Sequence, residues 1–196
     1  FLVKGFLAFA VPVVTAVPFV LYERRTKDFL KTSWIPLLAA VLVVLPWAIM
    51  IHQREGDYWH YFFWTEHIRR FLSPIPGQHP KPFWYFIPIL IGGLLPWAAL
   101  TPAATMGIGR RWRKDSFIRF LLCWCFFPFL FFSASSGKLI PYILPCFPPL
   151  TMLTAVGIMA YFRSGRARAF RYGALSLGIA VGIFALGFGF NQITGI

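Results

Sequence analysis

Between His52 and Pro82 the chain gathers all four of its histidines (His52, His60, His67, His79), three of its six acidic residues (Glu55, Asp57, Glu66) and the adjacent pair Arg69 and Arg70. Neighbouring guanidinium groups can hold a phosphate through paired, charge-assisted hydrogen bonds. Imidazole and carboxylate side chains are the usual ligands of a divalent metal such as zinc, and they are equally ordinary as polar anchors at a membrane surface. Two more basic residues stand in unusual places. Lys138 lies in SSGKLIPYILP, where small residues permit a tight loop just before Tyr142. Lys4 precedes Gly5 in an otherwise apolar run. An ionisable group within hydrocarbon costs on the order of 3 kcal/mol, which marks Lys4 as functional unless it snorkels to the nearby interface.

The elements that position these residues are set by hydrophobicity. Apolar residues make up 58% of the 196, in runs long enough to cross about 30 Å of hydrocarbon at about 1.5 Å per helical residue. A soluble domain is excluded. Six segments qualify as spans: residues 1–22, 34–51, 83–101, 117–132, 142–162 and 172–190. They lack the alternation of barrel strands, so helices must satisfy their backbone groups. The expected fold is therefore all-α, a polytopic transmembrane bundle forming one region over 1–196, with an external loop at 52–82. Pro12, Pro18, Pro46, Pro88, Pro96 and Pro128 lie inside spans and predict kinks. The chain begins inside an apolar run without an initiating Met, which reads as a piece of a longer protein.

Net charge is +13, yet its distribution indicates topology and not nucleic acid. Thirteen of the nineteen basic residues fall in alternate loops: Arg24, Arg25, Lys27 and Lys31; Arg110, Arg111, Arg113, Lys114 and Arg119; Arg163, Arg166, Arg168 and Arg171. Positive charge stays on the cytoplasmic side, so these loops face the cytoplasm. Lys4, Arg54, Arg69, Arg70, Lys81 and Lys138 are left at or near the opposite face. No recognisable nucleic-acid-binding motif accompanies the charge.

In the external loop, DYWHYFFWTEHIRRF contains neither Gly nor Pro, opens on a possible Asp57 cap and stops at Ser73–Pro74. It predicts a short helix whose Trp and Tyr content suits the membrane interface. His60 and His67 stand seven residues apart, about 10 Å along a straight axis, too far to share one metal. Either of them, or Glu66, would need partners from elsewhere. Cys123 and Cys125 are separated by one residue and point apart on a helix; with Cys146 they read as apolar packing residues.

A cationic cluster beside lipid-facing grooves would attract the phosphate of a polyprenyl lipid, its tail in the bilayer and its sugar facing water. Transfer of that sugar leaves negative charge on the phosphate, which fixed Lys and Arg donors stabilise. A carboxylate base would activate the acceptor hydroxyl. The strings LVKGF, QREGDYWHYFFWTEHIRRF, QHPKPFWYFIPILIGGLLPW and SSGKLIPYILPCFPPL together resemble the bacterial aminoarabinose transferases. These sit within the GT-C type integral-membrane sugar transferases that include the protein O-mannosyltransferases. HYFFWTEHIRRF and GKLIPYILP are the most specific strings. The resemblance implies transfer of 4-amino-4-deoxy-L-arabinose from undecaprenyl phosphate to lipid A, or to another glycan, on the periplasmic face, weakening the binding of cationic peptides. It also implies donor-phosphate roles for Lys4, Arg69, Arg70, Lys138 and Tyr142, and supports a metal at His60, Glu66 or His67. The catalytic acid of that family lies in an early external loop that would precede Phe1, so residues 1–196 alone are expected to be inactive. A related sugar transferase acting on protein, or a lipid flippase with an alternating path, are the competing readings.

Overall fold

The computed structural model describes residues 7–69 and 81–194; Lys4, Arg70 and His79 lie outside them. All regular structure among the described residues is helical. In chain order the helices are α1 (Leu7–Glu23), α2 (Thr26–Arg54), α3, α4 (Phe86–Gly93), α5 (Thr101–Ile108), α6 (Ser116–Ala134), α7 (Phe147–Arg163) and α8 (Arg168–Thr194). The short α3 begins as an α-turn at Tyr58–His60 and continues as π-helix over Tyr61–Arg69. Turns of 3-10 helix at Phe83–Tyr85, Trp97–Leu100 and Ile140–Cys146 lead into α4, α5 and α7.

Four helical stretches are long and apolar enough to cross a membrane, or five if one bent pair counts as a span. α2 is the clearest. Its 29 residues reach about 43 Å at 1.5 Å per residue, and none of the apolar window within it is buried by protein. Val43, 72% exposed, would be costly in water; a face of Leu, Val and Ile left uncovered along a whole helix is built for hydrocarbon. The helix also starts eight residues before the expected Trp34, because Thr26–Ser33, with the basic residues Lys27 and Lys31, extends it ahead of the apolar run.

Proline behaves in two ways. α1 continues through Pro12 and Pro18, α2 through Pro36 and Pro46, and α6 through Pro128. The segment expected as one span over 83–101 does not. Phe83–Gly93 and Trp97–Ile108 meet at 95° around Leu94–Pro96, so a continuous helix is replaced by two short ones. Gly92, Gly93 and Pro96 combine low helix propensity with a missing backbone donor, which explains why the break falls there.

The chain divides into two compact units. The first comprises Phe1–Ile87 with Leu122–Cys146, and the second Pro88–Leu121 with Phe147–Ile196. In the first, Trp47 of α2 packs edge-on against Tyr58 and Trp59, and Tyr58 stacks on Phe62 at 5.4 Å between centroids. This aromatic wedge ties α3 to the end of α2, each such pair being worth about 0.5–1.5 kcal/mol. Burial raises the Tyr58 phenol above its ordinary value. The expected Asp57 cap is absent: Asp57 begins the helix without a side-chain hydrogen bond to it, so ring packing and not capping starts α3.

The second unit is held by small residues. A Cβ on Gly107 of α5 would strike the Gly157 carbonyl of α7, and one on Gly157 would strike the Ala104 backbone. Glycine at both positions lets the two backbones touch, the packing mode of helices in lipid, where apolar side chains gain little from association. Gly173 of α8 approaches the Ala99 carbonyl in the same way. Asp115 caps α6, accepting the Phe117 and Ile118 amides at 2.9 and 3.3 Å.

Candidate functional site: a pinned lysine in the first unit

The most defined set of polar contacts around an expected site residue lies in the loop that joins α6 to the 3-10 turn before α7. Ser135 ends the run of buried residues at the C-terminus of α6, and its hydroxyl donates to the Gly137 carbonyl at 3.2 Å, folding Ser135–Lys138 tightly. The fold returns the Lys138 ammonium onto its own loop, where Nζ donates to the Ser135 carbonyl at 2.6 Å. A second bond reaches the carbonyl of Lys81, 57 residues away, at 3.1 Å. An ammonium has three protons. Two are fixed by backbone carbonyls, and the third has no acceptor among the described residues. Lys138 is only half-buried, yet desolvation lowers its pKa below the ordinary 10.5. A cation already stripped of part of its water and held in one orientation loses less on meeting an anion.

Tyr142 stands one helical turn further on. Its ring rests against Phe132 at 5.7 Å, and its amide donates to the Leu139 carbonyl at 3.0 Å. Its hydroxyl has no protein partner among the described residues. Beneath the loop, the Ser133 hydroxyl is buried without a hydrogen-bond partner, as is Thr15 of α1 in the same unit. A buried hydroxyl left unpaired costs about 1–3 kcal/mol, so these groups mark polar ground inside an otherwise apolar unit.

The other site residues expected from sequence fare differently. Arg69 is exposed at the last described turn of α3 and forms no hydrogen bond with Lys138 or Tyr142. Lys4 and Arg70 lie outside the described residues, as do the side chains of Glu66 and His67. His60 is exposed. Among the described residues no three His, Cys, Asp or Glu side chains gather as a metal site, and the side chains of Glu66 and His67, two of the three candidate ligands, are not among those described. The three cysteines are free thiols, and Cys146 donates a weak bond to the Cys125 carbonyl at 3.4 Å.

Lys81 is the residue that sequence reading placed on the outer face without a role. Its carbonyl holds Lys138, and its own ammonium lies 5.8 Å from the Tyr85 ring centre. The signal was the KPFWYF string: Pro82 fixes the backbone beside Lys81 in extended conformation, and the aromatic residues that follow supply the ring.

A chain whose described residues are helical, with several helices long and apolar enough to cross a membrane, defines the class as a helical integral-membrane protein. Its fold is similar to part of a solved membrane enzyme, ArnT. The chain matches the crystal structure of ArnT from Cupriavidus metallidurans bound to undecaprenyl phosphate with a TM-score of 0.69 and 25% identity, over 91% of this chain and 31% of that one. Among curated proteins it is 46% identical over 174 residues to the undecaprenyl phosphate-α-4-amino-4-deoxy-L-arabinose arabinosyl transferase of Shewanella sediminis, covering 89% of this chain and 31% of the relative. The transferase of the same name from Pectobacterium carotovorum is 47% identical over 195 residues, covering 96% and 35%. No protein-family model matches. The sequence corresponds to a segment of these arabinosyl transferases, and it spans about a third of the length of the relatives it matches.

Proposed function

We propose that this chain is the donor-holding part of an enzyme that transfers 4-amino-4-deoxy-L-arabinose from undecaprenyl phosphate to lipid A at the periplasmic face of the bacterial inner membrane. The observation that carries the reading is Lys138. Its ammonium is pinned by two carbonyls with one proton left over, which suits a phosphate oxygen whose negative charge grows as the sugar leaves. Similarity to ArnT solved with undecaprenyl phosphate supports the donor, and the names of the relatives support the sugar. Lys4, Arg69, Arg70 and Tyr142 complete the proposed phosphate site, and about six spans with an interfacial α3 complete the proposed topology.

The broken helix around Leu94–Pro96 is a feature that transporters also use, usually to aim backbone groups at an ion. Here the entire stretch Phe83–Ile108 contains no acidic or basic side chain, which favours a packing role for the break.

The test uses the full-length enzyme. Lys138→Ala and Arg70→Ala, each removing a charge-assisted bond worth about 1.5–3 kcal/mol, should weaken binding of undecaprenyl phosphate by about tenfold or more. Unchanged donor binding in both variants would refute the site. Mass analysis of lipid A from cells with and without the gene tests the acceptor, an unchanged profile under inducing conditions being the adverse result.

A further inference from the structure

The second unit carries nine basic residues and one acid, Asp115, whose carboxylate is already engaged in capping α6. Four of the nine, Arg163, Arg166, Arg168 and Arg171, crowd the connection from α7 to α8, and none of them is paired with a carboxylate among the described residues. Excess charge in a loop is by itself only a sign of topology. This connection is more than a loop. Met106, Tyr161, Arg166, Ala167, Arg168, Ala169 and Tyr172 enclose a groove of about 550 Å³.

The groove has a fixed wall. α7 ends in a tight turn in which the Ser164 amide donates to the Tyr161 carbonyl at 3.2 Å and the Gly165 amide to the Phe162 carbonyl at 2.9 Å. Gly165 takes φ +71, a conformation that glycine adopts without penalty. The chain then reverses, and the Ala169 amide, in the first turn of α8, donates to the Tyr161 hydroxyl at 2.9 Å. Tyr161 is 3% exposed. Its hydroxyl accepts that bond, and its own proton has no acceptor among the described residues. A buried donor left open beside two unpaired guanidinium groups is the arrangement expected of an anion site. Opposite it, Tyr172 is 67% exposed and stands with Met106 as an apolar flank, and amphipathic rings of this kind settle at the headgroup level.

We infer that the Arg166–Arg168 groove binds the phosphate of an anionic bilayer phospholipid, a phosphodiester headgroup with its acyl chains lying along Met106 and Tyr172. Guanidinium groups of Arg166 and Arg168 and the Tyr161 hydroxyl donate to the phosphate oxygens. Basic pockets beside membrane helices on the cytoplasmic side are suited to such headgroups. The site belongs to the face that the charge distribution assigns to the cytoplasm, and its residues all lie in the second unit, whereas Lys138 lies in the first, so they are separate from those proposed for donor binding. It would fix the α7–α8 connection to one leaflet and leave the sugar-transfer chemistry untouched.

The experiment is native mass spectrometry of the purified full-length protein released from nanodiscs of phosphatidylglycerol and phosphatidylethanolamine in equal amounts. Wild type should retain phosphatidylglycerol. Arg166→Gln with Arg168→Gln should lower that retention by about 30-fold, two arginines at about fivefold each, with binding of undecaprenyl phosphate unchanged. Arg166→Lys with Arg168→Lys should recover most of it, which separates lost charge from misfolding. Arg110→Gln with Arg111→Gln, on the same face and outside the groove, should leave it as in wild type. Equal retention in the Gln double variant, or equal loss in the Arg110/Arg111 variant, would overturn the site. Binding of inorganic phosphate to lipid-free protein, lost in the same Gln variant while phosphatidylglycerol is retained, would assign the groove to a soluble anion and overturn the lipid.

Discussion

The third proton of Lys138 sets the pH behaviour of the proposed site. Because desolvation lowers its pKa below 10.5, Lys138 loses its charge at a lower pH than an exposed lysine does. Donor affinity should be constant where the ammonium is intact and should fall as pH rises through that lowered value. The sign follows from the charge: the neutral amine can no longer pair with phosphate, while the phosphate itself remains ionised. Lys138→Arg keeps its charge to far higher pH, so its alkaline limb should move upward even if its geometry weakens binding at neutral pH. Binding of undecaprenyl phosphate measured across the alkaline range checks this, and coincident limbs for wild type and Lys138→Arg would assign the titration to another group. Lys138 itself was legible in the sequence, since a lysine among Ser, Gly and Pro beside an apolar span has few structural reasons to be there. Its partners were not, because the carbonyl of Lys81 is a backbone group and no residue type announces it.

At the scale of the element, the crossing of α5 and α7 depends on the absence of side chains. Gly157→Ala would drive a methyl into the Ala104 backbone, and overpacking of this kind costs about 1–3 kcal/mol. Gly178 of α8 has nothing within 4 Å of the same added atom. Gly178→Ala should be neutral or stabilising by about 1 kcal/mol, the difference in helix propensity. Thermal unfolding of the two variants in detergent measures the contrast, and equal midpoints would remove the close crossing. Helices α1, α2, α6, α7 and α8 were legible from apolar run length. A kink at Pro96 was legible too, but not that the helix would break there by 95°, since α2 runs on through Pro46 and α6 through Pro128. Local sequence shows where a helix is weak, and the neighbours decide whether it breaks. Around Gly93 the neighbour is the ring of Phe147, which occupies the space a Cβ would need.

For the whole molecule the prediction concerns sidedness. Gly56 is exposed after α2 and Lys114 is exposed before α6, and the charge distribution puts them on opposite faces. With native cysteines replaced, Gly56→Cys should react with a membrane-impermeant maleimide in intact spheroplasts, whereas Lys114→Cys should react only after permeabilisation. The reverse pattern would invert the proposed topology and move the Lys138 loop to the cytoplasm. The proposed sugar transfer requires that the donor phosphate and the acceptor reach the same face.

The sequence by itself determined that the chain is helical and membrane-embedded, because the hydrocarbon demands long apolar runs and leaves backbone groups no partners but their own. It also determined the family likeness, through strings such as HYFFWTEHIRRF and GKLIPYILP, and it singled out Lys138. The tertiary structure alone decided that Lys138 is pinned from 57 residues away, that α3 starts from an aromatic wedge and not a cap, and that Arg166, Arg168 and Tyr161 share one groove. Span length and charge bias are sums over local residues and can be read along the chain. A pinned ammonium, a glycine crossing and a groove are relations between distant residues, and they exist only once packing has brought those residues together.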